Sequence, residues 1–166
     1  MLPGPEAIVQ AINKALLDRP HSHGTGFVTL VYGHLTTHPD GGLDLTFVRA
    51  GHTLPLHFGD THIPRPVTCD GSLLGIVSSP HLQARHLHLR PAESLVLYTD
   101  GITESRNRDG EQFGEQRLLT ALTTERRIGH QEIIDTMTQA LQAFTDTDID
   151  DDQAVLVLTV AHHEHS

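Results

Sequence analysis

The sequence predicts an antiparallel α+β fold. Strand-like runs cluster in the middle of the chain, joined by short polar turns, while helical periodicities are grouped apart from them instead of alternating. The last of these runs, residues 154–160 (AVLVLTV), is a continuous stretch of strand formers, expected to be a central strand buried on both faces.

The elements follow in order. Residues 6–18 read as a helix, because Ile8, Ile12 and Leu16 recur at i, i+4 and i+8 with Val9 beside them. Pro5 suits the first turn, where its missing N–H is no loss, and Arg19-Pro20 ends the helix. Residues 27–32 (FVTLVY) are apolar on both faces, as in a strand covered on both sides. Pro39-Asp40-Gly41-Gly42 is a turn, and residues 43–50 alternate Leu43, Leu45 and Phe47 against Asp44 and Thr46, so the two runs form a hairpin. Short strands follow at 54–58, 86–89 and 94–98 (SLVLY), with a stretch broken by Gly, Pro and Ser at 64–80. Helices are expected at 116–125, with Leu118, Leu119 and Leu122 on one side, and at 131–144, with Ile133, Ile134, Met137, Leu141 and Phe144. Residues 161–166 read as a polar tail. With no repeat or long linker, residues 1–166 read as a single domain.

Composition narrows the function. Eleven Lys+Arg against 21 Asp+Glu leave a net charge of -10, which argues against binding nucleic acid or docking on an anionic membrane. Cys69 is the only cysteine, so neither a disulfide framework nor a multi-cysteine zinc site is available. No apolar run is long enough to span a bilayer and no signal peptide opens the chain, so a cytoplasmic location is expected.

There is no P-loop, no G-x-G-x-x-G and no G-x-S-x-G elbow. The conspicuous features are carboxylates at strand ends. Tyr98-Thr99-Asp100-Gly101 sets an aspartate where an apolar strand stops, and Asp146, Asp148, Asp150, Asp151 and Asp152 precede the last strand. Carboxylates at the mouths of two core strands suit a hard cation such as Mg²⁺ or Mn²⁺. An ordinary Asp-Gly turn and a solvated acidic loop explain the same residues equally simply.

Read in series, FVTLVYGHL, LTFVRAGHTLPLHF, GSLLGI, LRPAESLVLYTDGITESRNRDGEQFGEQRL and DDQAVLVLTV resemble the SpoIIE branch of the PPM-type, metal-dependent serine/threonine phosphatases. The resemblance runs from about Pro5 to Val160, and the helix EAIVQAINKALL fits it too. It implies two antiparallel sheets packed as a β-sandwich flanked by helices (αββα), with two Mn²⁺ or Mg²⁺ ions at one end. It further implies that an activated water attacks the phosphorus of phosphoserine or phosphothreonine in line, without a covalent intermediate. By the same resemblance Asp100 and Asp151 are metal ligands, and Asp152, where many relatives carry Asn, ranks after them. Gly101, Gly75 and His52 are expected to support the site, His52 by holding its turn. The implied substrate is a phosphorylated regulatory protein, such as an anti-sigma-factor antagonist.

One departure qualifies these implications. The family's first metal motif, Asp-x-x-Gly-His-Gly, is absent, and His21-Ser22-His23-Gly24 lacks its aspartate. The fold is therefore expected to be incomplete at its N-terminal end, and the chain to be weakly active or inactive. The alternative is a non-catalytic module, derived from such a phosphatase, that binds a phosphoprotein or other partner. An exposed sheet edge would also allow a homodimer. Arg106 and Asn107 read as loop caps, Gly110 and Gly114 as turn residues and Phe113 as a core anchor. Glu104 is a candidate for a water-mediated role near the metals, and Cys69 reads as a small buried residue. The histidines look scattered, and His162-His163-Glu164-His165 is expected to be a polar tail.

Overall fold

A computed structural model of the chain describes residues 3–19, 26–61, 63–123, 129–145 and 152–161. The elements are α1 (Pro5–Leu17), β1 (Leu30–Thr37), β2 (Leu43–Ala50), β3 (Leu56–Phe58), β4 (Arg65–Pro66), β5 (Ala84–Leu89), β6 (Ser94–Tyr98), α2 (Asp100–Glu104), α3 (Gly114–Leu122), α4 (His130–Thr145) and β7 (Val155–Thr159). They form two compact units interleaved along the chain: Met1–Leu54 with Thr68–His88, and Pro55–Val67 with Leu89–Ser166.

The first unit carries a three-stranded sheet of order β1-β2-β5. The expected hairpin is present, antiparallel from Leu30↔Ala50 to Thr37↔Leu43. Its turn is closed by Asp40, whose Oδ1 accepts from the Gly42 amide at 2.7 Å. Helix α1 lays Val9, Ile12 and Leu16 against Leu30, Tyr32, Val48 and Ala50 on one sheet face. Asn13 is fully buried in that seam. Its Nδ2 donates to the Val77 carbonyl at 2.9 Å and its Oδ1 accepts from the Gly75 amide at 2.8 Å. That face turns polar toward the hairpin tip. Thr46 meets His86 there at 2.8 Å, and His88 lies between Asp44 Oδ1 at 2.7 Å and Asp40 Oδ2 at 3.0 Å. The Asp44 hydrogen bond, assisted by Asp40, raises the His88 pKa above its ordinary value against the opposing effect of burial.

The strand expected at 27–32 differs. It starts at Leu30, and Phe27 is 60% exposed. Coverage on both sides fails along the strand: helix α1 packs on Leu30 and Tyr32, while the second half is largely exposed.

The second unit carries a four-stranded sheet of order β4-β3-β6-β7, antiparallel throughout. Helices α3 and α4 pack against it. Leu118, Leu122, Ile133, Met137 and Leu141 meet Leu56, Val96 and Tyr98 in one core. Phe113 anchors that core, edge-on to Phe144 at 5.4 Å, with the Arg117 guanidinium 4.8 Å above the Phe144 ring. The expectation of a central last strand is overturned. β7 is the edge strand of its sheet among the described residues, and it alternates: Val155 and Val157 face the core while Leu156 is 64% exposed.

At the β5–β6 turn, Glu93 is buried with its charge fully engaged. Its carboxylate accepts from the Arg90 amide at 3.1 Å, from Arg90 Nε at 3.0 Å and Nη2 at 2.7 Å, and from His57 Nε2 at 3.0 Å. Arg90 also pairs with Asp60. Burial pushes the Glu93 pKa up, but these donors outweigh it and hold the carboxyl below its usual range.

Candidate metal centre

The two predicted aspartate features meet where β6 ends and β7 begins. Thr99 joins them. Its amide donates to the Ala154 carbonyl at 3.0 Å, its hydroxyl donates to the Asp152 carbonyl at 2.8 Å, and the same oxygen accepts from the Ala154 amide at 2.9 Å. The turn expected at Asp100-Gly101 is instead the first turn of α2. A glycine inside a five-residue helix is poor by propensity, so tertiary bonds hold the segment. Ser105 Oγ donates to the Gly101 carbonyl at 2.5 Å, and Gln153 Nε2 donates to Ser105 Oγ at 2.7 Å.

Gly101 is required by space. A Cβ there would lie 2.8 Å from the Asp152 carbonyl oxygen and 3.0 Å from its carboxylate Oδ1. The Asp152 carboxylate is thus seated directly against the residue that follows Asp100, and both aspartates are exposed. Preceding them, burial pushes the Tyr98 phenol up to about 12, so it stays neutral.

Asp151 lies outside the described residues, as do Asp146, Asp148 and Asp150, the His21–Gly24 element and the His162–His165 tail. His52 and Gly75 belong to the first unit. His52 Nδ1 meets Thr29 Oγ1 at 3.0 Å, and its carbonyl accepts from Arg49. Gly75 sits at φ +83° with its amide on Asn13, a conformation that strains any side chain. The residues after α2 cap their own loop: Asn107 Oδ1 accepts from the amides of Asp109 and Glu111, and Arg106 donates to the Gly110 carbonyl. Glu104 is exposed at the end of α2, and Cys69 is buried with its thiol toward the Gln83 carbonyl.

The donor chemistry is compatible with a hard divalent cation: two exposed carboxylates on backbone segments that Thr99 ties together, with Gly101 giving the Asp152 side chain room to approach. The cluster of three potential metal-binding side chains found among the described residues lies elsewhere, at His38, Asp40 and His88. Sequence reading missed it by treating the histidines as scattered. The available signals were His38-Pro39-Asp40 in a hairpin turn and His86-Leu87-His88 in a strand.

Comparison with known proteins accounts for this architecture. The Protein IcfG of Synechocystis is 28% identical over 157 residues, covering 92% of this chain, which spans 24% of that protein. Among solved structures, the PP2C phosphatase domain with a fragment of the regulatory domain of Bacillus subtilis SpoIIE superposes with a TM-score of 0.70 at 17% identity. The match covers 93% of this chain and 44% of that one. The RsbU and RsbW domains of Rv1364c from Mycobacterium tuberculosis give a TM-score of 0.62 at 21% identity, covering 94% and 41%. At these identities the structural likeness establishes the fold, that of a PP2C phosphatase domain. The family model described as Stage II sporulation protein E (SpoIIE) matches residues 2–161, nearly the whole sequence, and the chain therefore belongs to the SpoIIE branch of the PPM-type phosphatases.

Proposed function

We propose that this chain is a phosphoserine/phosphothreonine protein phosphatase domain of the bacterial regulatory type, dependent on Mn²⁺ or Mg²⁺, with Asp100, Asp151 and Asp152 as metal ligands. The observation that carries the reading is the convergence of the β6–α2 and β7 junctions on Gly101 in a chain of this family. When bound, the ions supply an acidified water and neutralise phosphoryl charge. Thr99 ties together the backbone segments that carry Asp100 and Asp152 and so brings the two side chains to one place. Gly101, Gly75 and His52 shape the loops of their units, and residues 1–166 act as one domain. Its substrate is a phosphorylated regulatory protein, of which an anti-sigma-factor antagonist is the type; a SpoIIE-branch relative carried with an RsbW domain supports that class. The edge of β7 that has no partner strand among the described residues is where a second copy would pair, and light scattering reads it.

Turnover by this chain alone is low. The sequence holds no Asp-x-x-Gly-His-Gly element, and among the described residues no third His or carboxylate clusters with Asp100 and Asp152. The test is Mn²⁺-dependent phosphate release from a phosphoserine peptide by wild type and Asp100→Ala, with Mn²⁺ calorimetry alongside. Slow, Mn²⁺-dependent release abolished by Asp100→Ala is expected. Equal rates in the two proteins would remove Asp100 from the site, and fast release would refute the low-turnover reading. The missing motif also favours a second reading, a module that binds a phosphoprotein without hydrolysing it. Stable capture of the phosphoprotein with no release under Mn²⁺ would decide for it.

A further inference from the structure

The polar end of the three-stranded sheet brings together side chains from two separate segments. His38 and Asp40 stand in the β1–β2 turn, and His88 stands on β5. One ligand atom from each lies within 4.8 Å of the others. The His38 and His88 rings meet edge to face at 4.7 Å. Asp40 is fixed by its own turn, because Oδ1 takes the Gly42 amide at 2.7 Å and meets His38 Nδ1 at 2.8 Å while Oδ2 points at His88 Nε2, 3.0 Å away. A fourth side chain completes the arrangement. Asp44 Oδ1 accepts from His88 Nδ1 at 2.7 Å, which leaves Nε2 as the ring nitrogen directed at Asp40.

A carboxylate on the far nitrogen of a histidine is the arrangement that sets ring orientation and basicity in metal-binding histidines. Two imidazoles and one carboxylate form a donor set suited to Zn²⁺ and poorly suited to Mg²⁺ or Ca²⁺, which take oxygen. All three side chains are partly open to water, so solvent can fill the remaining positions. The hairpin itself creates the cluster: the His38–Gly42 turn places Asp40, the register places Asp44 opposite Thr36, and β5 lies beside β2. We propose that His38, Asp40 and His88 form a surface site for a divalent transition cation, Zn²⁺ first, with Asp44 orienting His88. Occupancy ties the hairpin turn to β5. The site is argued from the first unit's own residues and stands or falls apart from the phosphatase reading.

The experiment is calorimetric titration of Zn²⁺ into the full chain carrying Asp100→Asn, Asp151→Asn, Asp152→Asn, His162→Ala, His163→Ala and His165→Ala, which removes the aspartates proposed for the other metal centre and the C-terminal histidines. One saturable Zn²⁺ site per chain is expected. Asp40→Asn or His88→Gln in that background should weaken it at least tenfold, and Asp44→Asn by about 10–100-fold. His86→Gln, one turn of the pleat away, should leave it unchanged. Co²⁺ in place of Zn²⁺ gives a second readout, a visible d–d band that Asp44→Asn shifts and His86→Gln does not. Circular dichroism confirms that each variant is folded. The absence of saturable Zn²⁺ binding, or binding that survives Asp40→Asn and His88→Gln unchanged, overturns the proposal.

Discussion

Replacing Glu93 by glutamine keeps the side chain's shape and removes its charge, in a place where all its neighbours are donors. The carboxylate is 2% exposed and takes four hydrogen bonds, three from Arg90 and one from His57. A carboxamide supplies one oxygen and turns an NH₂ toward groups that are themselves donating. Hydrogen bonds to a charged group contribute about 1.5–3 kcal/mol each when buried, and removing one partner of a buried pair costs about 3–5 kcal/mol. Arg90, however, is 53% exposed and regains water when its partner goes, which discounts its share. A net loss of about 2–3 kcal/mol follows, equivalent to roughly 5–10 °C in melting temperature for a chain of this size. The pH dependence carries a definite sign. The folded pKa of Glu93 is depressed from its ordinary value of 4.5, so its contribution is fully present above that value and is lost as pH falls through the folded pKa. Urea or thermal melts of wild type and Glu93→Gln should therefore differ fully at pH 7 and converge below pH 4.5. A gap that is absent at pH 7, or undiminished in acid, refutes the claim that the charge of Glu93 is what the network stabilises.

Other predictions follow from single contacts. Asn13→Ala removes both hydrogen bonds of a fully buried side chain, one to the carbonyl of exposed Val77, which regains water, and one to the amide of partly buried Gly75, so a loss of about 1–2 kcal/mol is expected. Urea denaturation against the exposed neighbour Lys14→Ala, expected within about 0.5 kcal/mol of wild type, measures this. Gly101→Ala forces a methyl group to within 2.8 Å of the Asp152 backbone oxygen, so the β7 junction must move. Mn²⁺ affinity by calorimetry should fall while the far-ultraviolet circular dichroism spectrum persists, and unchanged affinity would show that the Asp152 carboxylate takes no part.

Which features the sequence reveals depends on whether they are local. The β2 and β6 bounds, 43–50 and 94–98, match the structure because alternation and turn residues are properties of the segment itself. Burial is not. The apolar run at β7 looks like a central strand, but lateral place is set by pairing and burial by what packs on each face. β7 pairs with β6 at the sheet edge among the described residues, its Val155 and Val157 face the core shared with α3 and α4, and Leu156 on the other face lies open. Asp100-Gly101 reads as a turn because a glycine after a strand lets the backbone turn sharply, and it is helical because Ser105 and Gln153, the latter 52 residues away, hold the Gly101 carbonyl and its surroundings. Asp100 and the acidic run that ends at Asp152 nonetheless stand out in the sequence as carboxylates beside apolar strands, and the family resemblance is what singles out Asp152 within the run. The His38–Asp40–His88 cluster was not, because no segment contains it. It exists only once the hairpin register and the place of β5 beside β2 are fixed, and those are the facts that local periodicity leaves open. A chemical group assembled by strand order is invisible to motif reading for the same physical reason that β7's edge position is: both are decided by which strands pair, which no single segment encodes.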